Sequence, residues 1–481
     1  MTRRLQDLQP SVVWKWFLRL CRIPRPSGHE QKVTEFLLEF ADERGLERLV
    51  DPAGNVLVRK PGCGAAADAE PVALQAHTDM VPEKVDGSDH DFQTDPIEPE
   101  PDGDWVTARE TTLGADNGIG VSCMLALLDA DDLAHPPLEC LFTVDEERGL
   151  TGAAALDPGW LESRRLINLD SEDEGRFCIG CAGGVDISIT DTLPVGVEEG
   201  RTARVTIGGL KGGHSGMEID RGRACGVKLA ARALTVLADL GISISRLDAG
   251  TKRNAIARGG RMELWVPEAK MDDAMRAVSA LEKQVRDEYR GIEEGVEMSM
   301  EPVEWDSPPV PFGHTRRLAD LLLAMPHGVV KMSGVAEGLV ETSVNLATAS
   351  LSEGSLRITL SARSSIDEAR DWVVRGVRAL GRMAGAGVEE SGAYPGWRPR
   401  ADSPLLDRAR RVYSETTGND PIVETIHAGL ECGILGSRYP GLDMISMGPT
   451  IRDVHIPGER VSVPSLERFW AFLTSLLADE L

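Results

Sequence analysis

The 481-residue chain has no surplus of positive charge: 52 lysines and arginines stand against 77 aspartates and glutamates, a formal net charge of -25. Phosphate-rich partners need a basic face, so this balance excludes nucleic acid and argues against docking on anionic membranes. No apolar stretch is long enough and free enough of charge to span a bilayer. The chain starts with the basic pair Arg3 and Arg4, but Lys15 and Arg19 break the apolar run Val12–Leu20 and no small-residue cleavage site follows. That run reads as an amphipathic first helix and not as a secretory leader. Eight cysteines scattered over this length make no disulfide framework. Cys178 and Cys181 form a lone CxxC beside the glycine-rich run 180–184 and read as buried thiols, since no second pair completes a metal site. HExxH is absent too. A reducing cytoplasm fits all of these absences.

What is present is a globular interior, with 42% hydrophobic residues, in a chain long enough for two or three domains. After two helical segments in residues 10–45, joined by IPRPSGHE with Ser27 as a candidate cap, strands and helices alternate. Val72–Leu74, Leu138–Val144 and Leu166–Leu169 read as strands, Ile119–Leu128 and Gly152–Leu161 as helices, and 83–104 as a long surface loop. Alternation of this kind predicts an α/β layer with a mixed, largely parallel sheet. Around Gly183 the pattern changes to exposed-faced strands and long helices: Val185–Thr190, Ala203–Ile207, 223–240, Arg261–Val266, 272–289, Val296–Met300, Ser355–Leu360 and 366–384. From Ser403 the first pattern resumes. The expected architecture is therefore a catalytic α/β domain (1–184 and 396–481) interrupted by an inserted α+β lid domain (185–395), which carries a weak internal repeat.

Chemistry-bearing residues fall where strands end, the place where parallel sheets build their sites. LQAHTDMV puts His77 and Asp79 two apart, on one side of extended backbone. TLGADNGIG sets Asp116 among Gly114, Gly118 and Gly120; an N-cap aspartate is the alternative reading, but it leaves the glycines unexplained. VDEERG places Glu146 and Glu147 directly beyond an apolar strand, where like charges repel unless a cation offsets them. INLDSEDEG supplies Asp170, and MGPTIRDVHIPGE supplies His455. Any one of these could be a turn aspartate or a structural histidine. Together they offer a mixed nitrogen and oxygen set suited to zinc, with manganese or cobalt as alternatives.

The ordered motifs HTDMV, TLGADNG, DEERGLTG, NLDSEDEG, KGGHSG, HAGLECG and GPTIRDVH resemble the aminoacyl-histidine (Xaa-His) dipeptidases, also called bacterial peptidase D, within the two-zinc aminoacylases and carboxypeptidases. The resemblance spans nearly the whole chain. It implies a zinc-peptidase catalytic domain and two divalent metal ions, with His77 and Asp170 on one, Glu147 and His455 on the other, and Asp116 bridging both. It further implies that Asp79 steers His77, that Glu146 is the general base, and that the Asp116–Asn117 peptide is cis. By the same resemblance His214 in GGHSG donates to the carbonyl oxyanion, and Asn254 and Arg363 bind substrate, with Arg363 on the C-terminal carboxylate; a turn asparagine and a solvated arginine are the alternative readings of these two, and Glu431 in GLECG is a candidate partner of the free α-amine. The implied partner is a small peptide, with a homodimer as the candidate assembly. An N-acyl-amino-acid amidohydrolase is the neighbouring alternative, and a non-catalytic binding protein on the same fold the remote one.

Overall fold

The computed structural model describes residues 4–197, 200–334, 338–400 and 402–479; Arg3 lies outside them. The chain divides into two compact units. One runs to Gly180 and resumes over Trp397–Thr425 and from Leu430 onward; the other comprises Cys181–Gly396 with Ile426–Gly429. The divisions expected from sequence lie at 184/185 and 395/396, with 426–429 in the first unit.

The first unit is built on an eight-stranded sheet. Its order is Glu47–Val50, Val56–Lys60, Leu138–Thr143, Val72–His77, Arg165–Asn168, Asp443–Ser446, Arg176–Cys181 and Ile422–Ile426. The four middle strands, from Leu138–Thr143 to Asp443–Ser446, run parallel to one another, while Val56–Lys60 on one side and Arg176–Cys181 on the other pair with them antiparallel, and Glu47–Val50 pairs antiparallel with Val56–Lys60. Val72–His77 is buried at every position, as expected of a strand covered on both faces, and so shows no alternation. Helices Ser11–Leu20 and Gln31–Glu43 add an aromatic cluster in which Trp16 meets Phe40 edge-on at 4.9 Å.

Three local expectations are corrected. Ser27 does not cap the second helix: its hydroxyl donates to the Met80 carbonyl at 3.1 Å, and Glu30 occupies the cap without a side-chain bond. The helix expected over 152–161 is confined to Thr151–Ala155, since Pro158 cannot continue it. The surface loop 83–104 ends in strand Glu100–Asp102, which folds back on Trp105–Thr107. That hairpin joins Arg460–Ser462 and Ile451–Arg452 in a separate four-stranded sheet, and His455 lies in the turn between its last two strands. Cys178 and Cys181 are buried and not joined by a disulfide.

The second unit carries a nine-stranded sheet, and its topology contains a repeat. Arg201–Gly208, helix Gly226–Asp239, Ser243–Ala249, Gly260–Val266, helix Met271–Glu288 and Glu297–Pro302 form one β-α-β-β-α-β unit. Gly183–Thr192, helix Phe312–Ala324, Val340–Ser352, Ser355–Ser364, helix Asp367–Ala384 and Gly387–Tyr394 form another, with the first inserted after its opening strand. Counting strands within each half, both lie in the order 4-1-3-2. The halves join antiparallel through their second strands, with Leu247 opposite Leu351. The 13-residue strand Val340–Ser352 and the helix Phe312–Ala324 are absent from the sequence-based reading.

The C-terminal helix Val463–Ala478 is anchored by Phe472, whose ring lies 5.5 Å from Phe177 and 5.1 Å from Tyr413. Phe472→Ala is expected to destabilise the first unit by about 3–5 kcal/mol, the usual cost of emptying such a core position. Denaturant titration followed by tryptophan fluorescence measures it.

Candidate active site

Parallel strands present their carboxyl ends along one edge, and here three adjacent ones do so. His77 is the last residue of Val72–His77 and sits in register with Thr143, the last residue of the neighbouring strand. Glu146 and Glu147 follow three and four residues later in sequence, while Asp170 follows strand Arg165–Asn168 on the other side. Asp116 reaches the same place from the start of helix Ala115–Asp129, where Asp116 and Asn117 depart from helical dihedrals and the peptide between them is cis. Asp116 is not an N-cap, since Gly114 holds that position. In the surrounding loops Asp145 (φ 53°), Leu150 (φ 61°), Asp453 (φ 57°) and His455 (φ 64°) take left-handed backbone without being glycine.

The two oxygens of Asp116 face different imidazoles. Oδ1 lies 3.0 Å from His77 Nε2, and Oδ2 lies 3.1 Å from His455 Nε2. His77 Nε2 is also 3.3 Å from Asp170 Oδ1, and His455 Nε2 is 3.0 Å from Glu147 Oε2. Each imidazole thus has Asp116 and one further carboxylate, and Glu146 joins His77 and Glu147 in a third close group. Asp79 has two tasks. Its Oδ1 lies 3.4 Å from His77 Nδ1, and its carboxylate accepts the main-chain N–H of Glu146 at 3.0 Å and of Glu147 at 3.3 Å.

Charge is crowded here. Burial, with Asp170, Glu431 and Glu147 nearby, holds the Glu146 carboxyl well above the usual carboxylate range. Burial with Asp116 and Glu147 pushes Asp170 up to about 6, and burial with Asp116 and Asp170 pushes Glu172 up to about 8. Asp116 goes the other way: against its burial, hydrogen bonds from His455 and His77 keep it ionised. One oxygen of Glu147, Oε1, is buried with no partner among the described residues. Unbalanced acids, two imidazoles and an unpartnered buried carboxylate oxygen form a donor set that fits divalent cations.

Beneath this edge lies a buried polar ladder. Glu431, fully buried, accepts from Gln75 Nε2 at 2.5 Å and Thr143 Oγ at 2.8 Å, while Gln75 Oε1 accepts from Asn168 at 2.6 Å. Burial raises the Glu431 carboxyl to about 7, and its Oε1 has no partner among the described residues.

The remaining expected residues lie in the second unit. His214 Nδ1 accepts the N–H of Gly216 at 3.2 Å and of Met217 at 3.1 Å, so in the neutral ring the proton sits on Nε2. Burial, then Arg363, lowers its pKa and favours that neutral form. Arg363 Nη1 donates to Tyr394 Oη at 3.4 Å, and its Nε is buried without a partner among the described residues. Asn254 is exposed, its carbonyl accepting the Ser215 N–H at 3.0 Å. His427, its pKa lowered to about 4 by burial and by the nearby Arg363 and His214, bonds Ser343 Oγ at 2.7 Å. Sequence reasoning assigned His427 no task, although HAGLECG contains it. It likewise passed over Arg25 and Glu459, which lie in the quoted IPRPSG and HIPGE stretches.

Residues 73–479 match the family described as peptidase family M20/M25/M40. The chain is 40% identical over 481 residues to the cytosol non-specific dipeptidase of Escherichia coli (strain K12), covering 99% of both. It is similar in structure to aminoacylhistidine dipeptidase from Vibrio alginolyticus, with a TM-score of 0.93 and 39% identity over 99% of this chain and 98% of that one. The fold alone is shared with aminopeptidase PepT from Bacillus cereus, with a TM-score of 0.57 and 15% identity over 98% of each chain. This chain belongs to peptidase family M20/M25/M40. No helix among the described residues is long and apolar enough to cross a membrane.

His455 gives this site a pH signature in the metal-free protein. Hydrogen bonds to Asp116 and Glu147 push its pKa up from 6.5 to about 11. A raised folded-state pKa means the stabilisation is complete below about pH 6.5 and is lost as the pH climbs through about 11. Thermal melts in chelator are expected to fall over that window, and His455→Gln is expected to flatten the fall.

Proposed function

We propose that this protein is a metal-dependent dipeptidase that hydrolyses unblocked dipeptides, Xaa-His or a broader set. The observation that carries the reading is the placement of Asp116, one oxygen toward His77 and the other toward His455, with Asp170 and Glu147 completing the two sides. His77 and Asp170 would hold one divalent cation, Glu147 and His455 the other, and Asp116 both. Zinc is the proposed metal. When bound, such a pair supplies Lewis acidity and makes water a nucleophile near neutral pH.

The chain's own groups do the rest. Glu146 takes the proton from the attacking water and returns it to the leaving amine nitrogen; a carboxyl that burial holds above the ordinary range is suited to carry a proton at neutral pH. Asp79 keeps His77 oriented from Nδ1 and fixes the main chain of Glu146 and Glu147. His214, its proton on Nε2, is the donor assigned to the carbonyl oxyanion. Arg363 and Asn254 are the substrate-binding groups, the guanidinium taking the C-terminal carboxylate as a planar fork. The unpartnered Oε1 of Glu431 is the acceptor assigned to the α-ammonium. A cytosolic location is proposed with the activity, because the E. coli relative is named a cytosol dipeptidase.

A deacylase differs from a dipeptidase in needing no free α-amine. Zinc- or manganese-loaded protein is therefore expected to cleave Ala-His and Gly-Leu and to leave N-acetyl-methionine intact; the reverse preference would favour the amidohydrolase reading. Glu146→Gln is expected to lower kcat about 100- to 10,000-fold, the usual share of a general base, with metal content by elemental analysis unchanged. Arg363→Met is expected to raise KM for dipeptides, and an unchanged KM would remove its carboxylate role.

A further inference from the structure

Two buried charged side chains of the first unit make hydrogen bonds to main-chain atoms among the described residues, and both grip the turn that carries Asp116. Glu459 is 2% exposed. Its Oε2 accepts the N–H groups of Leu113 and Gly114, both at 2.9 Å, and its Oε1 accepts that of Asp116 at 3.1 Å. Glu459 lies four residues beyond His455. The loop that presents one imidazole therefore also clasps the turn presenting the carboxylate that faces it.

Arg25 holds the same turn from the opposite side. Also 2% exposed, it donates from Nη2 to the Gly114 carbonyl at 2.6 Å, and from Nη1 to the carbonyls of Thr78 at 2.9 Å and Asp79 at 3.1 Å. One guanidinium thus ties the chain just after His77 to the turn just before Asp116. Gly114 is held twice, its N–H by Glu459 and its carbonyl by Arg25. Two of the three glycines of TLGADNGIG now have a reason: a Cβ on Gly114 or on Gly118 would lie 2.6 Å from Arg25 Nη2, whereas one on Gly120 would meet Asn117 and Leu169. Gly114 and Gly118 leave the space the guanidinium fills.

Burying an arginine and a glutamate is costly unless their hydrogen-bonding capacity is met, and no ion pair joins these two among the described residues. The position they hold is itself unfavourable, because the surrounding carboxylates repel one another and would spread if the backbone were free. We propose that Arg25 and Glu459 are positioning residues that fix Asp116 relative to His77 and His455 before any cation arrives. The proposal rests on the metal-site reading above. Their worth lies in affinity: a site that need not be ordered on binding holds its ion more tightly.

The test measures zinc affinity of the full chain by competition with a chromophoric chelator, beside thermal melts of the metal-free protein. Glu459→Gln and Arg25→Lys are each expected to weaken zinc binding about 10- to 100-fold, the usual effect of losing a partner behind a metal ligand. Lost dipeptidase activity should return as zinc is raised. Gly118→Ala leaves both charged groups in the sequence and adds one methyl where the guanidinium lies; it is expected to weaken binding in the same way, and it carries the test if the charge variants do not fold. Folded variants that bind zinc as tightly as wild type, whatever their melting temperatures, overturn the clamp. A wild-type chain that takes up no zinc overturns the metal-site reading instead.

Discussion

Asp116 sits between His77 and His455 with one oxygen turned to each, while Asp170 and Glu147 close in from either side. Acids brought this near to one another, away from water, repel strongly enough to push some of their protons back on. The rest of the first unit can be read as the means of holding them there. Three parallel strands deliver His77, the Glu146–Glu147 pair and Asp170 to a common edge, and rigid elements fix such positions better than loops do. Asp116 comes from a helix start whose first residues are not helical, so its approach depends on contacts outside its own helix.

Those contacts are layered. Nearest the site, Asp79 receives the main chain of Glu146 and Glu147, and Asn117 Nδ2 reaches Asp170 Oδ1 at 2.5 Å. Behind them, Glu431, Thr143, Gln75, Asn168 and Ser446 form a chain of side-chain hydrogen bonds across adjacent strands. A polar row of this kind inside a sheet is expensive unless its members are matched, and matching fixes their positions. It stiffens the floor under His77 in a way that an apolar layer of equal volume would not.

Much of this was legible from residue order alone. His77, Asp79, Asp116, Glu146, Glu147, Asp170 and His455 stand out because each follows an apolar run or interrupts a glycine-rich turn, and the structure brings all seven to one edge. Arg25 and Glu459 were not legible. Their partners are peptide N–H and carbonyl groups, which every residue possesses, so no complementary side chain elsewhere betrays them. Gly114 and Gly118 stand out in the sequence without their cause, since the group that needs the space is almost ninety residues away from Gly114 in sequence. In the second unit, Val340–Ser352 was missed for another reason: Glu341, Thr342, Ser343 and Asn345 are buried within a sheet, so polarity no longer reports exposure. Helix Gly152–Leu161 was overextended because small apolar residues suggest a helix until a proline ends it.

The paired halves of the second unit have a consequence for dilution. Were each half a separate molecule, the strand joining them would be an open edge, seeking a partner at whatever concentration the cell provided. Here the two edges are tethered, so Leu247 and Leu351 meet through a closure that is unimolecular and independent of how much protein is present. A second unit built this way keeps its central seam at nanomolar as well as micromolar abundance.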